Sequence, residues 1–307
     1  MTAKNFFVYP LALILLAVTF SQAKGSGTFS VPDSVLLFHA TDSTLKLVAT
    51  DHLETLSVPV GSRNRPLATA SMGPGARSIS WGFPVADDLS KTWKVRCAVG
   101  VYSVSEKKWR TYGDFSQIHA TAILGDGSKV AFIADETEGN SRRLLLLDTD
   151  TGKITELAHV AAVLVSWSPD GGRLAVEISG GEKAATIAIF DMRSRSTHKL
   201  VEGNWPAWSP SGDWIAYVDH SNEKVHLIRP DGTGDRVLKD VGGHVFGYRI
   251  FGGQPVWSPD GKKLLLNEYK GDWDSSLDVM MVDINTGRTT QLSKNGEEVI
   301  GWTTQQK

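Results

Sequence analysis

Apolar residues along this chain come in short runs, cut by polar turns rich in Gly, Pro, Asp and Thr. Many runs alternate apolar and polar positions, the period of a strand, and no long stretch keeps a helical period. One phrase recurs. Trp167-Ser168-Pro169-Asp170-Gly171 precedes the run Leu174-Ala175-Val176. Trp208-Ser209-Pro210-Ser211-Gly212 precedes Ile215-Ala216-Tyr217, and Trp257-Ser258-Pro259-Asp260-Gly261 precedes Leu264-Leu265-Leu266. Each copy predicts strand, tight turn, strand: proline presets φ, Asp suits the next turn position, and Gly closes the turn.

The runs between the copies complete units of four strands. The unit at Trp167 continues through Leu174–Ile178, Thr186–Phe190 and His198–Val201. The next two units follow the same plan, and an earlier one runs from Ala120–Leu124 to Ile154–Leu157. A first unit is expected to open at Ile79-Ser80-Trp81 and to continue through Lys94–Val99, Val101–Val104 and Trp109–Tyr112. With Trp81, Ile123, Trp167, Trp208, Trp257 and Trp302 taken as equivalent, the intervals are 42, 44, 41, 49 and 45 residues. A period of about 40–45 residues with four strands per unit is that of a β-propeller blade. One strand around Trp302 is left over at the C-terminus, and three (Val35–Ala40, Leu45–Ala49, Leu53–Val58) at the N-terminus. The expected fold is therefore all-β, a six-bladed β-propeller whose ring closes by pairing the C-terminal strand with the three N-terminal ones. Closure would remove the open sheet edges. A β-sandwich or a pair of small barrels is the alternative.

The N-terminus carries a second pattern. Lys4, the apolar stretch Phe6–Phe20 and Ser21-Gln22-Ala23 match a signal peptide cleaved after Ala23. The apolar run is short for a membrane span, and an uncleaved anchor is the alternative. The domain reading is a signal peptide at 1–23, a leader at 24–32, the propeller at 33–304 and a tail at 305–307, which predicts a periplasmic or secreted protein with no membrane span after cleavage. Charge adds little: 32 basic residues face 34 acidic ones, so nothing points to nucleic acid or an anionic membrane. The single Cys97 excludes an internal disulfide. It reads as a small buried strand residue, with a reactive thiol as the alternative.

The phrase Trp-Ser-Pro-Asp-Gly, an apolar strand, then Asp-x-x-Thr-Gly resembles the PD40 (WD40-like) propeller repeat. That repeat builds the propeller of TolB and those of prolyl-oligopeptidase-type peptidases. It is clear at Trp167, Trp208 and Trp257, weaker at Ile123 and degenerate at Trp81. The resemblance implies a TolB-like propeller, here without the N-terminal TolB domain and without a hydrolase domain, since no Gly-x-Ser-x-Gly elbow is present. The repeated residues carry scaffold roles, and fold alone does not assign function.

Chemistry is sparse. No zinc spacing, phosphate loop or dinucleotide fingerprint occurs, so no catalytic residue, metal or cofactor is expected. Asp150, Asp170 and Asp260 read as turn residues bonded to their own backbone. Met192-Arg193-Ser194-Arg195 reads as a solvated hairpin turn. The exception is the connection Val241–Gly253, which carries His244, Phe246, Tyr248 and Arg249 and accounts for the longest interval. The loop at 268–275 adds Tyr269, Asp272, Trp273 and Asp274 and belongs to the next blade. Aromatic and Arg side chains on loops of a rigid scaffold suit a binding surface. They could equally plug the central channel or cover a blade edge. The function expected is a non-catalytic, monomeric module that engages a protein or peptide of the cell envelope. The alternative is a hydrolase or lyase acting on an extracellular polymer or small molecule, with His244 and carboxylates in the channel.

Overall fold

The computed structural model describes residues 34–39, 44–49, 53–54, 69–72, 78–84, 96–103, 106, 108–135, 142–180, 184–219, 224–238, 254–269, 277–293 and 298–303. The chain divides into two units, Met1–Ser30 and Val31–Lys307. The first unit, the predicted cleavage site and the leader lie outside the described residues.

Every element described in the second unit is a strand. One sheet holds β4 (Thr69–Met72), β5 (Ser78–Pro84), β6 (Cys97–Ser103) and β7 (Lys108–Phe115). The next holds β8 (Gln117–Ile123), β9 (Lys129–Asp135), β10 (Arg142–Asp148) and β11 (Ile154–His159). A third holds β12 (Ala162–Trp167), β13 (Arg173–Ile178), β14 (Thr186–Asp191) and β15 (Thr197–Glu202). A fourth holds β16 (Asn204–Trp208), β17 (Ile215–Asp219), β18 (Lys224–Ile228) and β19 (Arg236–Val237). A fifth holds β20 (Val256–Trp257), β21 (Lys263–Tyr269), β22 (Leu277–Asp283) and β23 (Thr289–Ser293). Within each the strands pair antiparallel in chain order.

These five sheets are the blades. The middle strands of the blades are apolar on both faces, and successive blades share a core across them. Leu174 and Val176 of β13 pack with Ala122, Ile133 and Leu144 of the preceding blade. Ala175 between them turns the other way, into a core with Trp208, Ile215 and Tyr217. Val218 and Leu227 continue against Trp257, Leu264 and Val282. At the front of the series, Val99 and Val101 of β6 pack with Ile118, Ile123 and Phe132.

The expected six-bladed ring is corrected to five blades, because a blade is a sheet packed face to face with its neighbour. Among the described residues five sheets have such cores. The chain ends form a further four-stranded sheet, in the order β24-β1-β2-β3, from β24 (Glu298–Thr303), β1 (Ser34–His39), β2 (Thr44–Ala49) and β3 (Leu53–Glu54). It is described by backbone pairing alone, such as Val35 with Trp302 and Leu36 with Leu47.

A second correction concerns Trp81. It lies in β5, the second strand of its blade, fully buried and stacked on Trp109 with ring centroids 4.1 Å apart. The first strand is β4, which lies ahead of the expected opening at Ile79. Met72 occupies the tryptophan place: it pairs with Ile79 as Trp167 pairs with Leu174, Trp208 with Ile215 and Trp257 with Leu264. Met72-Gly73-Pro74 is then the counterpart of Trp-Ser-Pro. The two strands predicted at 94–104 are one strand, β6.

The first strands are stitched to one another in an alternating manner. Where the residue before the tryptophan place is Ala, the next tryptophan indole donates to its carbonyl. Trp167 Nε1 reaches Ala122 O at 2.9 Å, and Trp257 Nε1 reaches Ala207 O at 3.0 Å. Where that residue is Ser, its hydroxyl accepts the next first-strand N–H. Ile123 donates to Ser71 Oγ, and Trp208 to Ser166 Oγ, each at 3.1 Å. The Trp208 indole nitrogen is buried without a partner among the described residues. The Arg173 guanidinium instead lies 4.9 Å from its ring centroid.

The turns behave as short, self-satisfied caps. Asp170 accepts from the Ser168 hydroxyl and the Gly172 N–H, which together hold its carboxyl below the usual range. Asp260 repeats this with Ser258, at 2.6 Å, and Lys262. The expectation for Asp150 is corrected: Asp148 is the acceptor in that turn, taking both Thr151 groups. Asp283 with Thr286, and Asp191 with Ser194, follow the same scheme. The residue closing each turn has positive φ: Gly152 at 72°, Gly287 at 67° and Arg195 at 56°. A side chain there costs about 1–2 kcal/mol. Arg195→Gly is therefore expected to raise stability by roughly 1 kcal/mol after the unfolded-chain entropy is offset. Denaturant unfolding measures it, and an unchanged or lowered midpoint would show that Arg195 is not strained.

Candidate functional site

Antiparallel order sends the turns of each blade to two ends. The first-to-second and third-to-fourth turns share one end, occupied by the tight Asp turns. The second-to-third loops and the passages to the next blade share the other. There β20 begins, β21 ends and β22 begins. The 239–253 connection leads into the first of these, and the 270–276 loop joins the other two. His244, Phe246, Tyr248, Arg249, Asp272, Trp273 and Asp274 lie outside the described residues. Tyr269 is the last residue of β21 and pairs with Leu277; its side chain is outside the description.

The residues flanking the long connection are anchored. Leu238 is buried, and its N–H donates to Val225 O at 2.9 Å. At the other flank the Gln254 side-chain amide donates to Pro206 O of the preceding blade and reaches Val165 O of the blade before that at 3.5 Å.

Beside Pro206 lies the least expected group on this end. Glu177, on β13, is only 4% exposed. Its alternation points it across the blade boundary toward the start of β16. One carboxylate oxygen accepts from Asn204 Nδ2 at 2.9 Å, the other from the Trp205 N–H at 2.7 Å. Burial pushes its carboxyl above the ordinary range, and these two hydrogen bonds only partly oppose that. Trp205 has φ of 55°, a left-handed conformation unusual for a bulky residue, and the glutamate fixes its amide. Asn204 Oδ1 is buried without a partner among the described residues.

A second polar pair ends the blade at β9. His119 Nε2 lies 2.9 Å from Asp135 Oδ2, and Asp135 also holds Ser116 through its backbone carbonyl. A histidine hydrogen-bonded to a half-buried carboxylate is an arrangement that acid–base chemistry can use. Among the described residues no three His, Cys, Asp or Glu side chains converge as a metal site. Cys97 is half-buried with Sγ 3.8 Å from Ser116 O.

Sequence reasoning missed Glu177, Asn204, Gln254, His119 and Asp135. The signal for Glu177 was present: it is the one acidic residue in the apolar run Leu174–Ile178. What it meets across the boundary was not legible.

No protein-family model matches the chain. Among curated proteins, the uncharacterized peptidase YuxL of Bacillus subtilis (strain 168) is 26% identical over 144 residues. The match covers 46% of this chain and 20% of that protein. Among solved structures, TolB from Acinetobacter baumannii superposes with a TM-score of 0.67 at 17% identity, over 91% of this chain and 68% of that one. A chain of a nidogen/laminin complex gives 0.59 at 13% identity, over 88% and 97%. Oligogalacturonate lyase from Vibrio parahaemolyticus gives 0.54 at 11%, over 80% and 73%. At these identities the likeness is one of architecture, and the fold of this chain is that of a TolB-like β-propeller.

Proposed function

We propose that this chain is an exported propeller of PD40-type repeats that binds a protein or peptide through the end carrying the 239–253 connection and the 270–276 loop. The observation that carries the reading is the strand order of the β20–β23 blade. It brings the start of β20 and the β21–β22 junction to one end, so both long segments leave the scaffold side by side. The flanks are fixed by Leu238 and Gln254, which limits the entropy lost on binding. His244, Phe246, Tyr248, Arg249, Tyr269, Asp272, Trp273 and Asp274 are the residues assigned to the contact. The nidogen/laminin likeness is to a propeller solved in a protein complex and favours the same use. The N-terminal pattern directs the chain to the periplasm or outside the cell.

Simultaneous Tyr248→Ala, Arg249→Ala and Trp273→Ala substitution is expected to remove a species captured from envelope extract by the unaltered protein, while thermal melting stays the same. A captured set that does not change would overturn the assignment of this end. The second reading, a hydrolase or lyase, is favoured by the His119–Asp135 pair at the same end and by the lyase and peptidase likenesses. It requires turnover of a pectic or peptide substrate that His119→Ala abolishes.

A further inference from the structure

Trp214, Arg229 and Arg236 meet at the opposite end of the β16–β19 blade. Trp214 immediately precedes β17, Arg229 immediately follows β18, and Arg236 opens β19. Strand alternation sets them on the face that carries Ala216 and Leu227, against whose core the indole packs. The guanidinium carbons of Arg229 and Arg236 lie 5.3 and 5.4 Å from the Trp214 ring centroid. Gly234, at φ of 68°, passes so near that even a Cβ there would lie 3.5 Å from the ring.

Two positive charges held on one ring repel each other, and each is attracted to the ring by only about 0.5–1 kcal/mol when exposed. Neither arginine has a carboxylate partner among the described residues. Arg110 and Arg143, by contrast, pair with Glu106 and Glu156. The nearby carboxylates are committed elsewhere. Asp231 accepts from the Thr233 hydroxyl and N–H at 2.7 and 2.9 Å, which hold its carboxyl below the usual range, with Arg229 a lesser influence. Asp235 accepts from the Tyr217 hydroxyl at 3.0 Å and lies 3.2 Å from His226 Nδ1. Both arginines are exposed.

We propose that Arg229, Trp214 and Arg236 form a binding site for an oxyanion, a carboxylate or phosphate group carried by an acidic ligand. The indole plane restrains both guanidiniums, so their N–H donors face solvent with little rotamer freedom left to lose. A carboxylate or phosphate can take paired hydrogen bonds from a planar guanidinium fork. It also neutralises the mutual repulsion, an electrostatic gain that added salt screens.

The test is calorimetric titration of the full chain with inorganic phosphate, tripolyphosphate and a hexaglutamate peptide, at low and at physiological salt. The expected result is binding that weakens with salt and falls at least about tenfold in Arg229→Gln/Arg236→Gln, a loss of about 1.4 kcal/mol. The single variants, each with half the site, are expected to lose less, and Arg229→Lys/Arg236→Lys to recover part of the binding. Arg193→Gln/Arg195→Gln, at another exposed turn, should bind as the unaltered chain does. Preference for the phosphate probes identifies a phosphorylated ligand, and preference for hexaglutamate an acidic peptide. No binding of any probe, or equal loss in the Arg193/Arg195 control, overturns the site.

Discussion

Trp167→Ala is expected to destabilise the propeller by about 3–5 kcal/mol, the cost of emptying a large aromatic site in a packed core. The side chain lies between two blades, among Ala122, Ile133 and Val165. Its loss also strips Ala122 O of the indole donor. A milder pair of changes isolates that hydrogen bond. Trp257→Phe leaves Ala207 O without its donor, whereas Trp208→Phe removes an indole nitrogen that has no partner to lose. The first should therefore cost about 1–2 kcal/mol more than the second. Equal denaturation midpoints for the two phenylalanine variants would show that the indole stitches do not contribute.

Glu177→Leu is expected to cost several kcal/mol, because the Trp205 N–H and the Asn204 amide lose their acceptor inside the blade boundary, at about 1–3 kcal/mol for each stranded group. Glu177→Gln behaves differently. The new amide oxygen can accept from the Trp205 N–H. Turning the Asn204 amide over lets its unpartnered Oδ1 accept the new N–H. The pH dependence separates charge from shape. The folded-state pKa of Glu177 is raised, so its protonation stabilises the fold fully below the ordinary carboxylate value. That contribution is lost as pH rises from the ordinary value through the raised one. Glu177→Gln keeps a neutral group throughout. Relative to the unaltered protein it should gain stability as pH rises above the ordinary carboxylate value, levelling off above the raised one. Parallel melting curves across that range would show that burial does not tax the carboxylate. If the candidate face needs Trp205 held as it is, Glu177→Leu should also weaken capture of the envelope species.

Legibility in the sequence followed locality. The Trp-Ser-Pro-Asp-Gly copies were readable because a tight turn is decided by its own few residues, and the Asp170 and Asp260 hydrogen bonds lie where the turn chemistry put them. The first blade was misread because its copy, Met72-Gly73-Pro74, had lost the tryptophan while Trp81, in the next strand, supplied a false one. Asp148 and Asp150 are two residues apart, and only backbone geometry shows which one faces the Thr151 N–H. The candidate binding residues were chosen by loop length and composition, which say where a surface can vary and not what it meets.

Period and alternation in the sequence by themselves determined an all-β chain of repeated four-stranded antiparallel units and the places of most turns, because those depend on side-chain spacing and on φ preferences within a few residues. The tertiary structure alone decided what depends on residues brought together from distant positions. It put Met72 in the tryptophan's place and set five packed blades beside a sheet made from the chain ends. It buried Glu177 against the start of the next blade and gathered two arginines on Trp214. Contacts across a blade boundary join residues that no local pattern links, and their energies exist only once both faces are in place.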